Sequence, residues 1–239
     1  MKKETSNVSA VLFDLDDTLF DHQQSSIKAL ELLREKHKCF QSTMVEQLER
    51  DYFALLNELH PLVLDGKLTP DESRLQRFIR FFTQYGEKIS TEKAFTESEF
   101  YHESYLAARV PVPGATQLLE ALKPIVKIGV VTNNLVSEQL SKLRACRFET
   151  LVDVLVVSEE VGVTKPAPEI FHIALNRLNV TAEEAVMVGD SWESDIVGAV
   201  NVGIRAIWFN RNGLTSPDPS LAVEINSFVP IGQVLKSIL

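Results

Sequence analysis

Asp14-Leu15-Asp16-Asp17-Thr18 places two carboxylates two residues apart, directly after the apolar run Val11-Leu12-Phe13. That run reads as a buried strand, so the acids fall where a strand gives way to a loop. In open α/β sheets this edge is where ligands bind. Neighbouring carboxylates repel each other and lose solvation there, so they call for a compensating cation or a chemical task. Oxygen donors of this kind suit Mg²⁺, and a carboxylate can attack phosphorus to form an aspartyl-phosphate. Three more segments end in the same way. Thr132-Asn133-Asn134 follows Val130-Val131, Val163-Thr164-Lys165-Pro166 opens a helix, and Gly189-Asp190-Ser191-Trp192-Glu193-Ser194-Asp195 follows Val188. Singly, a helix cap, a solvated lysine or a surface acid accounts for each. Together and in this order they point to phosphoryl chemistry.

The elements that must position these residues are legible as alternating patterns. Strand-like runs, nearly continuous in hydrophobicity as strands buried on both faces should be, cover Ala10 to Phe13, Lys127 to Val131, Val154 to Val157, Ala185 to Val188 and Ile204 to Phe209. Helical spacing covers Ala115 to Leu122, Ser137 to Cys146, Ala167 to Leu178 and Ser194 to Val200,. Strand alternating with helix predicts an α/β fold with a doubly wound, parallel, Rossmann-like sheet. Pro166 and Pro168 suit a helix start, and Gly198 would let its helix pack closely.

Residues 22–106 hold long helical patterns and no convincing strand. They read as a helical domain inserted into an α/β core made of residues 1–21 and 107–239. His60-Pro61 and Leu68-Thr69-Pro70 are expected to separate its helices. Phe78, Phe81, Phe82 and Tyr85 have the spacing of a bundle core. Pro111-Val112-Pro113-Gly114 marks the return to the α/β part, and Thr215 to Leu239 reads as a loop with a short closing strand and helix.

The chain has 239 residues, 45% of them hydrophobic, and a net charge of −9. That supports one α/β core with a smaller attachment and gives no basic footprint for nucleic acid. Cys39 and Cys146 have no paired spacing, so neither a disulfide framework nor a zinc site is expected. Met1 to Ala10 carries no apolar signal segment, and no run approaches the ~18 apolar residues of a membrane span. The expectation is a soluble cytoplasmic protein acting on a small-molecule phosphomonoester, without nucleic acid or membrane partners. Oligomeric state is not legible.

The four segments resemble the phosphatase branch of the haloacid dehalogenase superfamily, which carries Asp-x-Asp-x-Thr, a strand-ending Ser or Thr, a Lys, and Gly-Asp-x-x-x-x-Asp in that order. The resemblance spans the α/β core, and the helical insert resembles the family's first type of alpha-helical cap. It implies Asp14 as nucleophile and Asp16 as general acid, then base. It implies Mg²⁺ held by Asp14, the backbone carbonyl of Asp16 and Asp190, with Asp195 ordering the metal's waters. Thr132 and Lys165 would hold phosphate oxygens, Lys165 would also steady Asp14, and backbone N–H groups of Leu15, Asp16 and Asn133 would face the phosphate. Asp17 is read as a loop residue. Phe20-Asp21-His22 and Leu106 to Val110 would be the two hinges of the cap.

Asp16 separates branches within that resemblance. An alkoxide leaving group needs a proton and a halide does not, so Asp16 favours phosphate esters over haloacids. Mutases of this type usually have Gly where Asp17 stands. A non-catalytic module would be expected to have lost the nucleophile or the metal acid. The wording from Ser158 to Pro166 and from Gly189 to Ile196 is similar to bacterial pyrimidine 5′-nucleotidases and close to acylneuraminate 9-phosphate phosphatases. It implies a nucleoside monophosphate phosphatase, with sugar-phosphate or acylneuraminate 9-phosphate hydrolysis as the alternative. His22, Gln23, Tyr52 and Trp192 are candidate substrate contacts, each more readily explained as structural.

Overall fold

A computed structural model describes residues 8–239; of the Met1 to Ala10 stretch read above as lacking a signal segment, the first seven residues lie outside the described residues. Strand β1 (Ala10–Phe13) is buried at every position. The chain then enters a helical segment of α1 (His22–Lys36), α2 (Lys38–Gln41), α3 (Val45–Leu64), α4 (Pro70–Gln84) and α5 (Thr91–Ala107). It continues through α6 (Ala115–Leu122), β2 (Lys127–Thr132), α7 (Val136–Ala145), β3 (Val154–Val157), α8 (Ser158–Val161) and α9 (Pro168–Leu178). The last elements are β4 (Ala185–Gly189), α10 (Gly198–Asn201), β5 (Arg205–Phe209), β6 (Val223–Ile225) and α11 (Ile231–Ile238). Internal contacts divide the chain into an α/β unit, residues through Asp21 with Val110–Leu239, and a helical unit, His22–Arg109.

The α/β unit is built on a six-stranded sheet in the order β3-β2-β1-β4-β5-β6, with every pair parallel. β1 is therefore central. Its last residue, Phe13, is level with Val130 of β2 and Val188 of β4. The order reverses direction between β1 and β4, and the crevice at the carboxyl ends there is the ligand-binding position of such sheets. Residues alternate between faces along a strand, and both faces of β1 are buried. Ala10 and Leu12 join a cluster with Val131, Val156, Ile170, Phe171, Ala174, Met187 and Ala199. Gly198 serves this packing, because a Cβ there would stand 2.8 Å from the Phe171 ring.

Asp14 and Asp190 thus leave adjacent strand ends. The loop after β1 folds back on itself: Leu15 O accepts from Leu19 N and Phe20 N, and Asp17 N donates to Phe20 O at 2.7 Å. Asp17 takes a left-handed conformation (φ 59°) at this turn, one that acidic side chains tolerate. Leu15, Leu19 and Phe20 are fully buried and fasten the loop. After β4 the chain enters its helix through a wide turn, Trp192–Val197, in which Ser191 O accepts from both Asp195 N and Ile196 N. The helix therefore opens before Ser194, where apolar spacing predicted its start.

The helical unit buries Leu30 and Leu33 of α1, Leu48, Tyr52, Leu55 and Leu59 of α3, Phe78, Phe81 and Phe82 of α4, and Tyr101 and Tyr105 of α5. Tyr85 is half-buried. The expected break at Leu68-Thr69-Pro70 is there. Thr69 caps α4 and Glu72 answers the Thr69 backbone, closing a capping box ahead of Pro70,. The break expected at His60-Pro61 is not: Pro61 lies within α3. A proline removes one backbone donor, but buried side chains anchor α3 up to Leu59, and Asp65 N still closes the last turn onto Pro61 O at 2.9 Å. Among the described residues no helix is long and apolar enough to cross a membrane.

Candidate active site

Four loops of the α/β unit bring their polar residues together. Asp14, after β1, is 7% exposed; its N–H donates to Val188 O of the neighbouring strand at 3.0 Å. Asp190, after β4, is partly buried and accepts from the Thr18 hydroxyl at 3.3 Å, while its carbonyl accepts from the Trp208 indole at 2.8 Å. Asp195, in the wide turn, is fully buried and accepts from Ser191 N at 3.0 Å. Oxygens of Asp14, Asp190 and Asp195 all lie within 4.8 Å of one another. Gly189 creates the room, since a Cβ there would meet Asp195 Oδ2 at 2.3 Å.

One cation enters this cluster from the loop before α9. Lys165 is buried, with Nζ 2.5 Å from Asp14 Oδ1 and 2.6 Å from Asp195 Oδ1. Asn133, after β2, fixes the Lys165 backbone from both sides. Its Nδ2 donates to Lys165 O at 2.9 Å and its Oδ1 accepts from Lys165 N at 2.7 Å. The side chain of Asn133 is thus spent on Lys165, beside the backbone N–H that the resemblance directs at phosphate.

The electrostatics follow from three acids sharing one ammonium. Burial pushes Asp14 up from 3.8 to about 7; Lys165 opposes this, while Asp195 and Asp16 add to it. Asp190 is also raised well above the ordinary carboxylate range, by burial first and then by Asp14 and Asp195. Burial pulls the Lys165 ammonium down, but Asp14 and Asp195 outweigh it and hold its pKa above the usual lysine range. Carboxylates pressed this way, with oxygen donors converging, fit a hard divalent cation such as Mg²⁺. Asp14 and Asp190 would hold it, and Asp195, committed to Lys165 and Ser191, would contribute from behind them.

Asp16 and Thr132 occupy a second, adjoining group. Thr132 ends β2, 1% exposed. Asp16 lies outside the three-acid cluster and turns its carboxylate to α7. Lys142 Nζ sits 2.6 and 2.8 Å from its two oxygens, and Gln139 Nε2 donates at 3.0 Å. Leu15 is buried beneath this loop. Sequence reasoning missed Gln139 and Lys142. Apolar spacing in α7 turns Leu140 inward, yet Leu140 is 37% exposed while Gln139 and Lys142 are buried with Leu143. The available signal was their separation of three residues, which puts two polar side chains on one helix face.

The proposed substrate contacts resolve differently. Tyr52 is buried edge-on against Phe78 and Phe81. His22 Nδ1 lies 2.7 Å from the Tyr105 hydroxyl, and Gln23 hydrogen-bonds Glu49. Trp192 packs edge-on against Trp208. Each has a structural partner of its own.

Residues 8–203 match the family model of haloacid dehalogenase-like hydrolases. The chain is 30% identical over 209 residues to the pyrimidine 5′-nucleotidase YjjG of Escherichia coli, covering 87% of this chain and 88% of that one. It is 29% identical over 249 residues to human N-acylneuraminate-9-phosphatase, covering 98% and 96%. Among solved structures, the putative HAD-hydrolase YfnB of Bacillus subtilis, bound to magnesium, superposes with a TM-score of 0.75 at 26% identity, covering 96% of this chain and 99% of that one.

Proposed function

The chain belongs to the haloacid dehalogenase-like hydrolases, and from that premise we propose that it is a Mg²⁺-dependent phosphomonoester hydrolase acting through an aspartyl-phosphate on Asp14, with pyrimidine nucleoside 5′-monophosphates as preferred substrates. The observation that carries the chemistry is the buried Asp14–Asp190–Asp195 cluster with Lys165 bridging Asp14 and Asp195. Substrate preference rests on the likeness to the Escherichia coli nucleotidase. In this proposal the α/β unit carries the reaction.

Bound Mg²⁺ supplies charge cancellation between the substrate phosphate and the acids that must approach it. Asp14, Asp190 and the Asp16 carbonyl would hold it. Lys165 engages Oδ1 of Asp14 and so fixes the direction in which that carboxylate faces the phosphorus. The Thr132 hydroxyl, Lys165 and backbone N–H groups of Leu15, Asp16 and Asn133 hold phosphate oxygens. The Asp14 oxygen–phosphorus bond forms as the bond to the leaving oxygen breaks, and Asp16 gives its proton to that oxygen. In the second half Asp16 takes a proton from the water that releases phosphate and regenerates the Asp14 carboxylate. Position and charge carry most of the acceleration.

A sugar-phosphate or acylneuraminate 9-phosphate substrate is the second reading, favoured by the human relative's near-complete coverage. Asp16 speaks against haloacid hydrolysis, and the complete set Asp14, Asp16, Lys165, Asp190 and Asp195 speaks against a non-catalytic module.

Phosphate release should be measured with Mg²⁺ across nucleotides, sugar phosphates and acylneuraminate 9-phosphate, with Asp14→Asn as control. Preference for pyrimidine monophosphates, lost in the variant, is the expected result. Broad, weak release lost in the variant would retain the mechanism and remove the nucleotide assignment. Release that survives in Asp14→Asn would overturn the nucleophile.

A further inference from the structure

Helix α7 buries a lysine and a glutamine where a helix flanking a parallel sheet normally buries apolar side chains,. Lys142 is 4% exposed and Gln139 fully buried. Burying an ammonium costs several kcal/mol unless it is paired and hydrogen-bonded, and apolar residues in its place commonly give equal or better stability. Lys142 is therefore a weak choice for holding the fold together. Its Nζ spans both oxygens of Asp16 at 2.6 and 2.8 Å, and it also sits 5.5 Å from the centre of the Phe20 ring, at the far end of the same loop.

Gln139 adds a second tie. One Nε2 donates to Thr132 Oγ1 at 2.6 Å and to Asp16 Oδ2 at 3.0 Å. Its Oε1 is buried and has no hydrogen-bond partner among the described residues. The reverse orientation of the amide would set that oxygen against the Asp16 carboxylate, so the Asp16 contact fixes which end faces the loop. Because Thr132 accepts from Gln139, its single hydroxyl proton is left for another acceptor, which in the phosphatase reading would be a phosphate oxygen. Asn134 Nδ2 approaches Asp16 Oδ2 at 3.4 Å and completes the ring of donors.

We propose that Lys142 and Gln139 are positioning residues that hold the Asp16 carboxyl group in place for proton transfer to the leaving oxygen, with Gln139 tying that group to the phosphate-anchoring Thr132. The inference rests on the phosphatase reading above and adds to it. Asp16 reaches the leaving oxygen only if its side chain keeps a fixed orientation as the Asp14–phosphorus bond forms, and misplacement by about 1 Å can cost ~10²-fold. Donors from a rigid helix supply that orientation better than the loop bearing Asp16 could alone.

The test uses leaving groups that differ in their need for a proton. In the full-length protein with Mg²⁺, kcat/KM is measured for the best alkyl monophosphate of the panel and for 2,4-dinitrophenyl phosphate, whose leaving group departs without protonation. kcat/KM reports the steps through leaving-group departure. Lys142→Met should lose roughly 10²-fold on the alkyl ester, the scale of general acid catalysis, and at least about tenfold less on the aryl ester. Lys142→Arg, which restores a donor pair, should recover most of the alkyl activity.

Equal losses on both esters, in a variant that melts like the wild type, would overturn the proposal. If Lys142→Met does not fold, Lys142→Gln decides the same comparison. A wild type that hydrolyses neither ester would instead overturn the phosphatase reading, and an Asp14→Asn variant that hydrolyses both would overturn Asp14 as its nucleophile. The two failures are therefore distinguishable.

Discussion

A side chain at position 189 would occupy the space of the Asp195 carboxylate: a Cβ built on Gly189 lies 2.3 to 2.5 Å from Asp195 Oδ2, Cγ and Cβ. Gly189→Ala must therefore displace Asp195 and with it the contacts to Ser191 N and Lys165 Nζ. Overpacking of this kind typically costs ~1–3 kcal/mol. The expected outcome is a lowered melting temperature and at least a tenfold loss of phosphate release; wild-type behaviour on both would show that Asp195 has room to move.

Lys165 is the counter-charge for two buried acids. Removing one partner of a buried pair costs about 3–5 kcal/mol, because the remaining charge is left without compensation. Lys165→Met should be strongly destabilised. Lys165→Met combined with Asp195→Asn should recover part of that loss, as one fewer acid then lacks a partner. Denaturant unfolding of these two variants and of Asp195→Asn alone settles it, and additive losses would count against the shared pairing.

Burial pushes Asp14 up from 3.8 to about 7. The folded state then binds that proton more tightly than the unfolded chain does. The corresponding stability is complete below pH 4 and is lost as pH rises toward 7. A divalent cation competes with the same proton, so the rise in melting temperature on adding Mg²⁺ should be small at pH 5 and grow through pH 8. A Mg²⁺ effect independent of pH would argue that the cation does not reach Asp14. Chelated and Mg²⁺-loaded samples at each pH supply the comparison.

Asn133 closes two hydrogen bonds on the Lys165 backbone. Asn133→Ala should lose ~1–3 kcal/mol of stability, from a net ~0.5–1.5 per bond. Asn133→Asp keeps the acceptor for Lys165 N but sets an oxygen against Lys165 O, so its kcat should fall further than that of Asn133→Ala. If both variants turn over like the wild type, the Lys165 loop holds its place without Asn133.

Much of this site was legible because its chemistry-bearing residues sit at strand ends, where the switch from apolar run to polar loop is abrupt. Asp14, Thr132 and Asp190 stand immediately after Phe13, Val131 and Gly189, and the α/β alternation gave a parallel sheet. Pro61 misled because local propensity forecasts a break while burial of Leu48, Tyr52, Leu55 and Leu59 carries the helix onward,. Gln139 and Lys142 stayed hidden because hydrophobic spacing assigns the inward face by apolar residues, and α7 turns two polar ones inward instead. Their partners, Asp16 and Thr132, lie on other segments, and a pairing of that range leaves no local pattern.

The central place of β1 also bears on how the chain is made. The strand emerges first, yet its hydrogen-bonding neighbours begin at Lys127 on one side and Ala185 on the other. Until Lys127–Thr132 has left the ribosome, Ala10-Val11-Leu12-Phe13 has no native ladder on either edge, and until Ala185–Gly189 has followed it has one on a single edge, whereas the intervening helices can form from contacts among themselves. The surroundings of Asp14 are therefore among the last parts of the molecule to assemble during synthesis. Chains cut short before β4 carry an unsatisfied apolar strand, the kind of segment that invites aggregation and chaperone capture.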